Sequence, residues 1–212
     1  MLRPILISLF TCSLCWLSSC ASRPALQRDA FGRTVLAPSE LPNVTRVEDL
    51  LLTLVPSGDP AEAHRIAETA VLTGAECAER YGVMFGPAEH NWMVNRGLRE
   101  RGLCWQWTWD MAAAVAPLHP KTFDFHWGIS NDGKFNEHNS VVVTARGQPF
   151  ETGITLDPWR SSGFVTALRV TADPEYKWTE RRPPVGAADI YRRGDEVRSG
   201  ARGDYPEISA WR

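Results

Sequence analysis

The chain of 212 residues carries 23 lysines and arginines and 25 aspartates and glutamates, so its formal net charge at pH 7 is −2. Charges of both signs are interspersed along the sequence, which argues against the basic surface that nucleic-acid-binding proteins present. A hydrophobic share of 43% predicts a globular chain that can bury the core of one domain.

The N-terminal segment has the pattern of an export signal. A basic start is followed by an uncharged, apolar run from Pro4 to Leu17, which has the length of a signal-peptide core and is too short to span a bilayer. The run ends in Leu17-Ser18-Ser19-Cys20, which resembles the lipobox of bacterial lipoproteins. That resemblance implies removal of residues 1–19 and a lipid anchor on Cys20. Ala21 at the next position implies sorting to the outer membrane, with the protein facing the periplasm. The alternative is an ordinary signal peptide with an unrelated cysteine.

The rest of the chain divides into a tether, helices and then strands. Residues 20–45 show no periodicity and are predicted to be a tether from the membrane lipid to the domain. Asp59, Pro60 and Glu62 form a strong helix start, in which Asp59 caps the helix and Glu62 completes a capping box. The predicted elements in chain order are helices over 46–56, 60–80, 87–102 and from 104 to about 116, then strands over 123–130, 138–145, 150–159 and 164–171.

Helices followed by an antiparallel meander are typical of an α+β domain, which we expect to span residues 46–172. In this arrangement the N-terminal helices pack on the β-meander. Residues 173–212 are polar and rich in proline and arginine. They are predicted to be a tail that is partly disordered or lies over the domain.

Cys104 is the candidate nucleophile. It closely follows Gly102 at a predicted helix start, where unpaired backbone N–H groups and the helix dipole stabilise a thiolate. The thiolate is the reactive form of a nucleophilic cysteine. The missing side chain at Gly102 would let a substrate approach the sulfur closely.

His138 and Asp157 are placed together by strand register. If their hairpin turns symmetrically about Gly147-Gln148, they lie directly opposite each other, and the carboxylate can orient the imidazole and stabilise its charged form. A one-residue bulge would move the two side chains to opposite faces. If the preceding hairpin turns about Asp132, His126 also faces His138. His126 therefore stays open as the base or as a second polar group, although the opposing carboxylate favours His138.

The residues Gly102-Leu103-Cys104-Trp105, His138 and Leu156-Asp157-Pro158-Trp159 together resemble the transglutaminase-like and papain-like superfamily. The resemblance covers about residues 85–160. It implies a papain-like or transglutaminase-like core and a catalytic triad in which Cys104 attacks an amide carbonyl, His138 moves the proton and Asp157 orients His138. It also implies hydrolysis or acyl transfer on peptides or proteins of the cell envelope, without a cofactor. The same stretch resembles a group of uncharacterised bacterial lipoproteins, which implies no activity.

The match has one departure and one unassigned role. Asn139 and Ser140 follow the histidine, where a typical transglutaminase-like enzyme has His-x-Trp. The backbone N–H of Cys104 is one natural donor to the oxyanion, and Gln106 or Asn91 could supply another. Trp159, next to the Asp157-Pro158 pair, is a further auxiliary candidate.

A non-catalytic interpretation remains open beside the enzyme. Once the signal peptide is removed and Cys20 is acylated, Cys77 and Cys104 are the remaining cysteines, and exported proteins often pair their cysteines in disulfides. A Cys77–Cys104 bond would make the chain an envelope lipoprotein that binds a partner. No paired cysteines or histidines stand at metal-ligand spacing, so no metal site is predicted. The sequence gives no indication of oligomeric state.

Overall fold

The computed structural model describes residues 22–54 and 59–181, so the predicted signal peptide, Cys20 and residues 182–212 lie outside the described residues. Within these two ranges, N-terminal helices pack against a five-stranded antiparallel sheet. The α+β class is therefore confirmed. None of the helices in the described part of the chain has the length and apolarity needed to cross a bilayer.

Four helices form in the predicted regions, but two of them end early. The first ends at Leu51, before the predicted end at 56, and the third ends at Asn95, before the predicted end at 102. The second helix begins as expected, because Asp59 Oδ1 accepts a hydrogen bond of 3.0 Å from the backbone N–H of Glu62. The Glu62 carboxylate, however, accepts from the backbone N–H groups of Lys121 and Thr122. It therefore anchors the segment before the sheet and does not complete a capping box. The helices are α1 (Leu41–Leu51), α2 (Pro60–Arg80), α3 (Pro87–Asn95) and α4 (Cys104–Val115).

The strands of residues 22–54 and 59–181 form a small hairpin and the main sheet. The hairpin lies inside the segment predicted to be a tether, and it is followed by α1, which begins five residues earlier than expected. Buried Glu40 joins the hairpin segment to α1, because its carboxylate accepts hydrogen bonds from Ala25 N–H and from Asn43 Nδ2. The strands are β1 (Leu26–Arg28), β2 (Thr34–Leu36), β3 (Phe123–Ser130), β4 (His138–Ala145), β5 (Ile154–Ser161), β6 (Phe164–Thr166) and β7 (Thr179–Glu180).

The main sheet has the strand order β6-β5-β4-β3-β7. Strands β3 to β6 are a meander, and β7 adds an edge strand beside β3 from the segment predicted to be a tail. The predicted strand over 164–171 is wrong beyond Thr166, because a 3₁₀ turn forms at Val170–Ala172.

The main core fills the space between the helices and one face of the sheet. It is built from fully buried aliphatic side chains of α1, α2, α4, β4 and β5, which include Val47, Leu51, Ile66, Val71, Met111, Val141 and Leu156. A smaller cluster on the opposite face joins Val142, Phe150, Val170 and Trp178. The packing fixes the position of α4 relative to β4 and β5, the three elements that carry the candidate residues.

Both predicted registers need correction. Ser130 pairs with His138 and His126 pairs with Val142, so the expectation that His126 faces His138 is wrong. The whole segment 131–137 forms the turn, which is centred beyond Asp132.

In the next hairpin, Val141 pairs with Leu156, so the register continued along the strands places Trp159, and not Asp157, opposite His138. The predicted opposition is wrong by two residues because Phe150–Thr152 forms a 3₁₀ turn and does not begin the strand. A shift of two residues keeps every side chain on its face of the sheet. His138 and Asp157 therefore still meet, as a diagonal pair.

Candidate active site

Cys104 is the first residue of α4, as predicted, and is 9% exposed. Leu103 before it is extended, and the Gln106 side chain folds back over this turn. Gln106 Oε1 accepts hydrogen bonds of 2.7 Å from Gly102 N–H and 3.0 Å from Leu103 N–H. The side chain suggested as an oxyanion donor thus caps the helix and holds the loop that carries the thiol. The Cys104 N–H lies in the first turn, where a helix offers no acceptor of its own.

His90, a buried residue of α3, supports the same loop and was not identified from the sequence. Its Nε2 donates a hydrogen bond of 2.9 Å to the backbone oxygen of Arg101, and burial lowers the pKa of this imidazole. Gly102 has a φ of +131°, and a Cβ there would lie 2.1 Å from His90 Nε2. The glycine therefore makes room for His90, whereas the sequence suggested that it opens access to the sulfur.

His138 and Asp157 form a buried pair. Nε2 of His138 donates a hydrogen bond of 2.6 Å to Asp157 Oδ2, and each side chain is only 1% exposed. Burial disfavours the imidazolium, but the charge and hydrogen bond of Asp157, together with the Cys104 thiol, outweigh it and raise the pKa of His138 to about 9. Nδ1 of His138 is buried without a hydrogen-bond partner. Since Asp157 occupies Nε2, Nδ1 is the ring atom that can exchange a proton at Cys104.

The His138–Asp157 pair makes the free energy of unfolding depend on pH in the alkaline range. The folded-state pKa of His138, about 9, lies above the unfolded value of about 6.5, so protonation stabilises the fold. The contribution is fully present below about pH 6.5 and is lost as the pH rises through 9. Its loss is expected to lower the free energy of unfolding by roughly 3 kcal/mol between about pH 6 and pH 10, as measured by urea denaturation.

The matched variants for that measurement are His138→Gln and His119→Asn. His119 is exposed and has a left-handed backbone that asparagine tolerates, so the second variant should keep the wild-type pH dependence. In His138→Gln the free energy of unfolding should change little between about pH 6 and pH 10. An unchanged pH dependence in His138→Gln would assign it to another group.

Arg160 extends the pair into a charged network. Its Nε donates to Asp157 Oδ2 at 3.1 Å, the same oxygen that His138 uses. Its two terminal nitrogens bind both oxygens of Asp173, at 3.1 and 2.7 Å. Although burial opposes a carboxylate, hydrogen bonds from Arg160, from the Glu175 backbone and from Trp178 lower the pKa of Asp173 to about 2. Asp157 is thus held between two cations.

Three aromatic rings surround His138. The centroids of Trp159, Tyr176 and Trp178 lie 4.6, 4.4 and 5.3 Å from that of the imidazole. The indole N–H of Trp159 donates to Asn91 Oδ1 at 3.1 Å. Asn91, the other suggested oxyanion donor, therefore uses its carboxamide oxygen to position Trp159. Together the three rings separate the His138–Asp157 hydrogen bond from water.

Tyr176 and Trp178 belong to residues 173–180, which we name the strap. The sequence placed this segment in a polar tail, yet both of its ends are fixed to the domain. Asp173 binds Arg160, and Glu180 Oε1 accepts a hydrogen bond of 2.7 Å from His126 Nδ1. The strap is therefore part of the site and brings two aromatic rings onto the imidazole.

His126 has a different role from the one considered for it. Besides Glu180, it contacts Thr144, whose Oγ1 lies 2.9 Å from Nε2. Both ring nitrogens of His126 are thus engaged by Glu180 and Thr144, whereas Cys104 is among the groups that raise the pKa of His138.

The two described cysteines are free thiols in different surroundings, so the disulfide considered from the sequence is not formed. Cys77 lies 3.1 Å from Arg80 Nη2, and burial together with the charge of Asp110 raises the pKa of Cys77 to about 12. Cys104 Sγ lies 3.6 Å from the Glu137 backbone oxygen.

Residues 22–54 and 59–181 contain no cluster of histidine, cysteine, aspartate and glutamate that could hold a metal ion.

Comparison of the chain with models of protein families, with curated proteins and with solved structures gives no match.

Proposed function

We propose that the protein is a thiol enzyme that acts on amide bonds through Cys104, His138 and Asp157. The observation that carries the proposal is the buried His138, which binds Asp157 through Nε2 and keeps Nδ1 for a thiol at the first turn of α4. The raised pKa of His138, about 9, supports an imidazolium at neutral pH. A thiolate beside an imidazolium is an activated nucleophile.

The reaction follows from these positions. The Cys104 thiolate attacks the amide carbonyl carbon, a C–S bond forms, and the carbonyl π electrons move to oxygen. When this adduct collapses the C–N bond breaks, and His138 gives its Nδ1 proton to the leaving nitrogen. Water or an amine then loses a proton to His138 as it attacks the thioester, and the thiolate leaves. Both the imidazolium and the thiolate are restored.

The wider setting is also a proposal. The chain order of thiol, imidazole and carboxylate on α4, β4 and β5 supports a transglutaminase-like or papain-like core. The lipobox-like residues before Cys20 support an outer-membrane lipoprotein that faces the periplasm. Envelope peptides or proteins would then be the substrates.

Site-resolved alkylation tests the proposal. In the full-length protein without reductant, iodoacetamide is expected to label Cys104 rapidly at about pH 6.5, well below the value of about 8.5 at which an ordinary thiol is half ionised. Cys77 is an internal control, because its pKa of about 12 and its burial keep it unreactive. Mass spectrometry of the peptides gives both rates in one sample.

Two variants complete the test. His138→Ala should abolish the rapid labelling of Cys104, while the exposed His119→Asn should leave it unchanged. Equal labelling in wild type and His138→Ala would contradict the proposal. A Cys77–Cys104 pair short of two protons would favour the non-catalytic lipoprotein instead.

A further inference from the structure

We propose that the side-chain amide of Asn139 is a catalytic residue that donates a hydrogen bond to the oxyanion formed on Cys104. The inference rests on the proposed function and names the donor that the sequence left unassigned. It comes from a contact that neither strand register nor helix capping predicts: the Asn139 carboxamide lies beside the thiol, with Nδ2 at 3.9 Å from Cys104 Sγ.

The orientation of this carboxamide is fixed by Trp127. The indole Nε1 of Trp127 donates a hydrogen bond of 2.7 Å to Asn139 Oδ1. An indole N–H can only donate, so the atom facing it must be the carboxamide oxygen, and the NH₂ group must point the other way. Both side chains are buried, at 4% and 2% exposure, so the orientation is held without help from solvent.

The two hydrogens of the NH₂ group have two different directions. One is directed to Glu137 Oε1 at 3.2 Å. The other faces Cys104 Sγ at 3.9 Å, which is long for a hydrogen bond to sulfur. This spacing suits a donor that acts in the transition state. The oxygen of a tetrahedral adduct is two bonds from Sγ, so it can lie within hydrogen-bond distance of Nδ2. The donor then binds the adduct better than the resting thiolate.

The carboxamides of the two side chains suggested from the sequence are oriented by partners other than Cys104. Gln106 Oε1 caps α4, and Asn91 Oδ1 holds Trp159. The backbone N–H of Cys104 lies in the first turn of α4 and supplies the second donor. In the step itself the thiolate adds to the carbonyl carbon, the π electrons become the oxyanion lone pair, and Asn139 Nδ2–H and Cys104 N–H donate to it without transferring a proton.

The test separates two reactions of the same thiol. p-Nitrophenyl acetate acylates Cys104 through an oxyanion, whereas iodoacetamide alkylates it by direct displacement and forms none. In the full-length protein, Asn139→Leu, of nearly equal size, is expected to slow acylation by about 10²-fold while alkylation keeps its wild-type rate. The matched control is Asn136→Ala, which removes an exposed asparagine from the turn that precedes β4 and should change neither rate.

A second variant tests the inference if Asn139→Leu does not fold. Trp127→Phe keeps the asparagine but removes the N–H that orients it, so acylation should slow by about 10-fold at an unchanged alkylation rate. Equal slowing of both reactions in Asn139→Leu would overturn the inference, because the residue would then position only the thiol. Equal acylation rates in wild type and Asn139→Leu would also overturn it. The proposed function fails separately if wild-type Cys104 is neither acylated nor alkylated faster than Cys77.

Discussion

Replacing Asp157 with alanine is expected to slow acylation of Cys104 by p-nitrophenyl acetate about 10³-fold. The carboxylate is the main group that raises the pKa of His138, so its loss removes the imidazolium that pairs with the thiolate. The hydrogen bond from Nε2 that fixes the ring orientation is lost as well. The burst of p-nitrophenolate and the mass of the acetylated peptide measure the rate.

The same change should lower the free energy of unfolding by about 3 kcal/mol, because Arg160 and His138 lose a buried partner. Asp157→Asn separates the two effects, since its carboxamide oxygen can still accept from Nε2–H while the charge is gone. We expect this variant to lose less activity than Asp157→Ala. Asp124→Ala is the surface control, because its ion pair with Arg146 is half-exposed and remote from the thiol. A wild-type acylation rate in Asp157→Ala would remove Asp157 from the triad.

Local signals in the sequence predicted the elements that carry the triad. Asp59 and Pro60 specify the start of α2, and the thiol begins α4 as the pattern indicates. The valine-rich run of β4 gives both of its ends correctly. These elements depend on capping and on side-chain periodicity, which neighbouring residues determine without help from the rest of the chain.

The His138–Asp157 contact was predicted for a reason that is only partly correct. The symmetric turn does not exist, because Phe150–Thr152 forms a 3₁₀ turn. The contact survives because the resulting shift is even, so both side chains stay on the same face of the sheet. An odd shift would have separated them. The shift in the preceding hairpin is also even, but it is four residues, because the 131–137 turn pairs Ser130 and not His126 with His138. His126 therefore stays on the same face of the sheet but lies too far along β3 to contact His138.

What the sequence could not predict depends on contacts between distant segments. Tyr176 and Trp178 look isolated in a polar stretch, and their place on His138 depends on Asp173 reaching Arg160. Asn139 was noted only because it departs from the family pattern. Its value as a donor comes from Trp127, a residue on another strand, and no spacing along the chain indicates that hydrogen bond.

Replacing Gly102 with alanine is the stability change with the largest expected effect, a loss of about 4 kcal/mol in the free energy of unfolding. The φ of +131° strains any residue with a Cβ, and this Cβ would overlap the His90 imidazole at 2.1 Å. Relief requires a shift of the loop that Gln106 caps and that leads directly into Cys104. Acylation of the thiol should therefore slow as well. Urea denaturation and the p-nitrophenolate burst measure the two effects.

Two further variants assign this loss to its causes. Gly97→Ala also places a Cβ on a residue of positive φ, at +71°, but no atom lies within 4 Å of that Cβ, so it should cost only about 1 kcal/mol. Adding His90→Ala to Gly102→Ala removes the overlap and keeps the strained φ. The double variant should therefore be more stable than the sum of the two single changes predicts, because the two side chains occupy the same space. Strict additivity would mean that backbone strain, and not His90, requires glycine before the nucleophile.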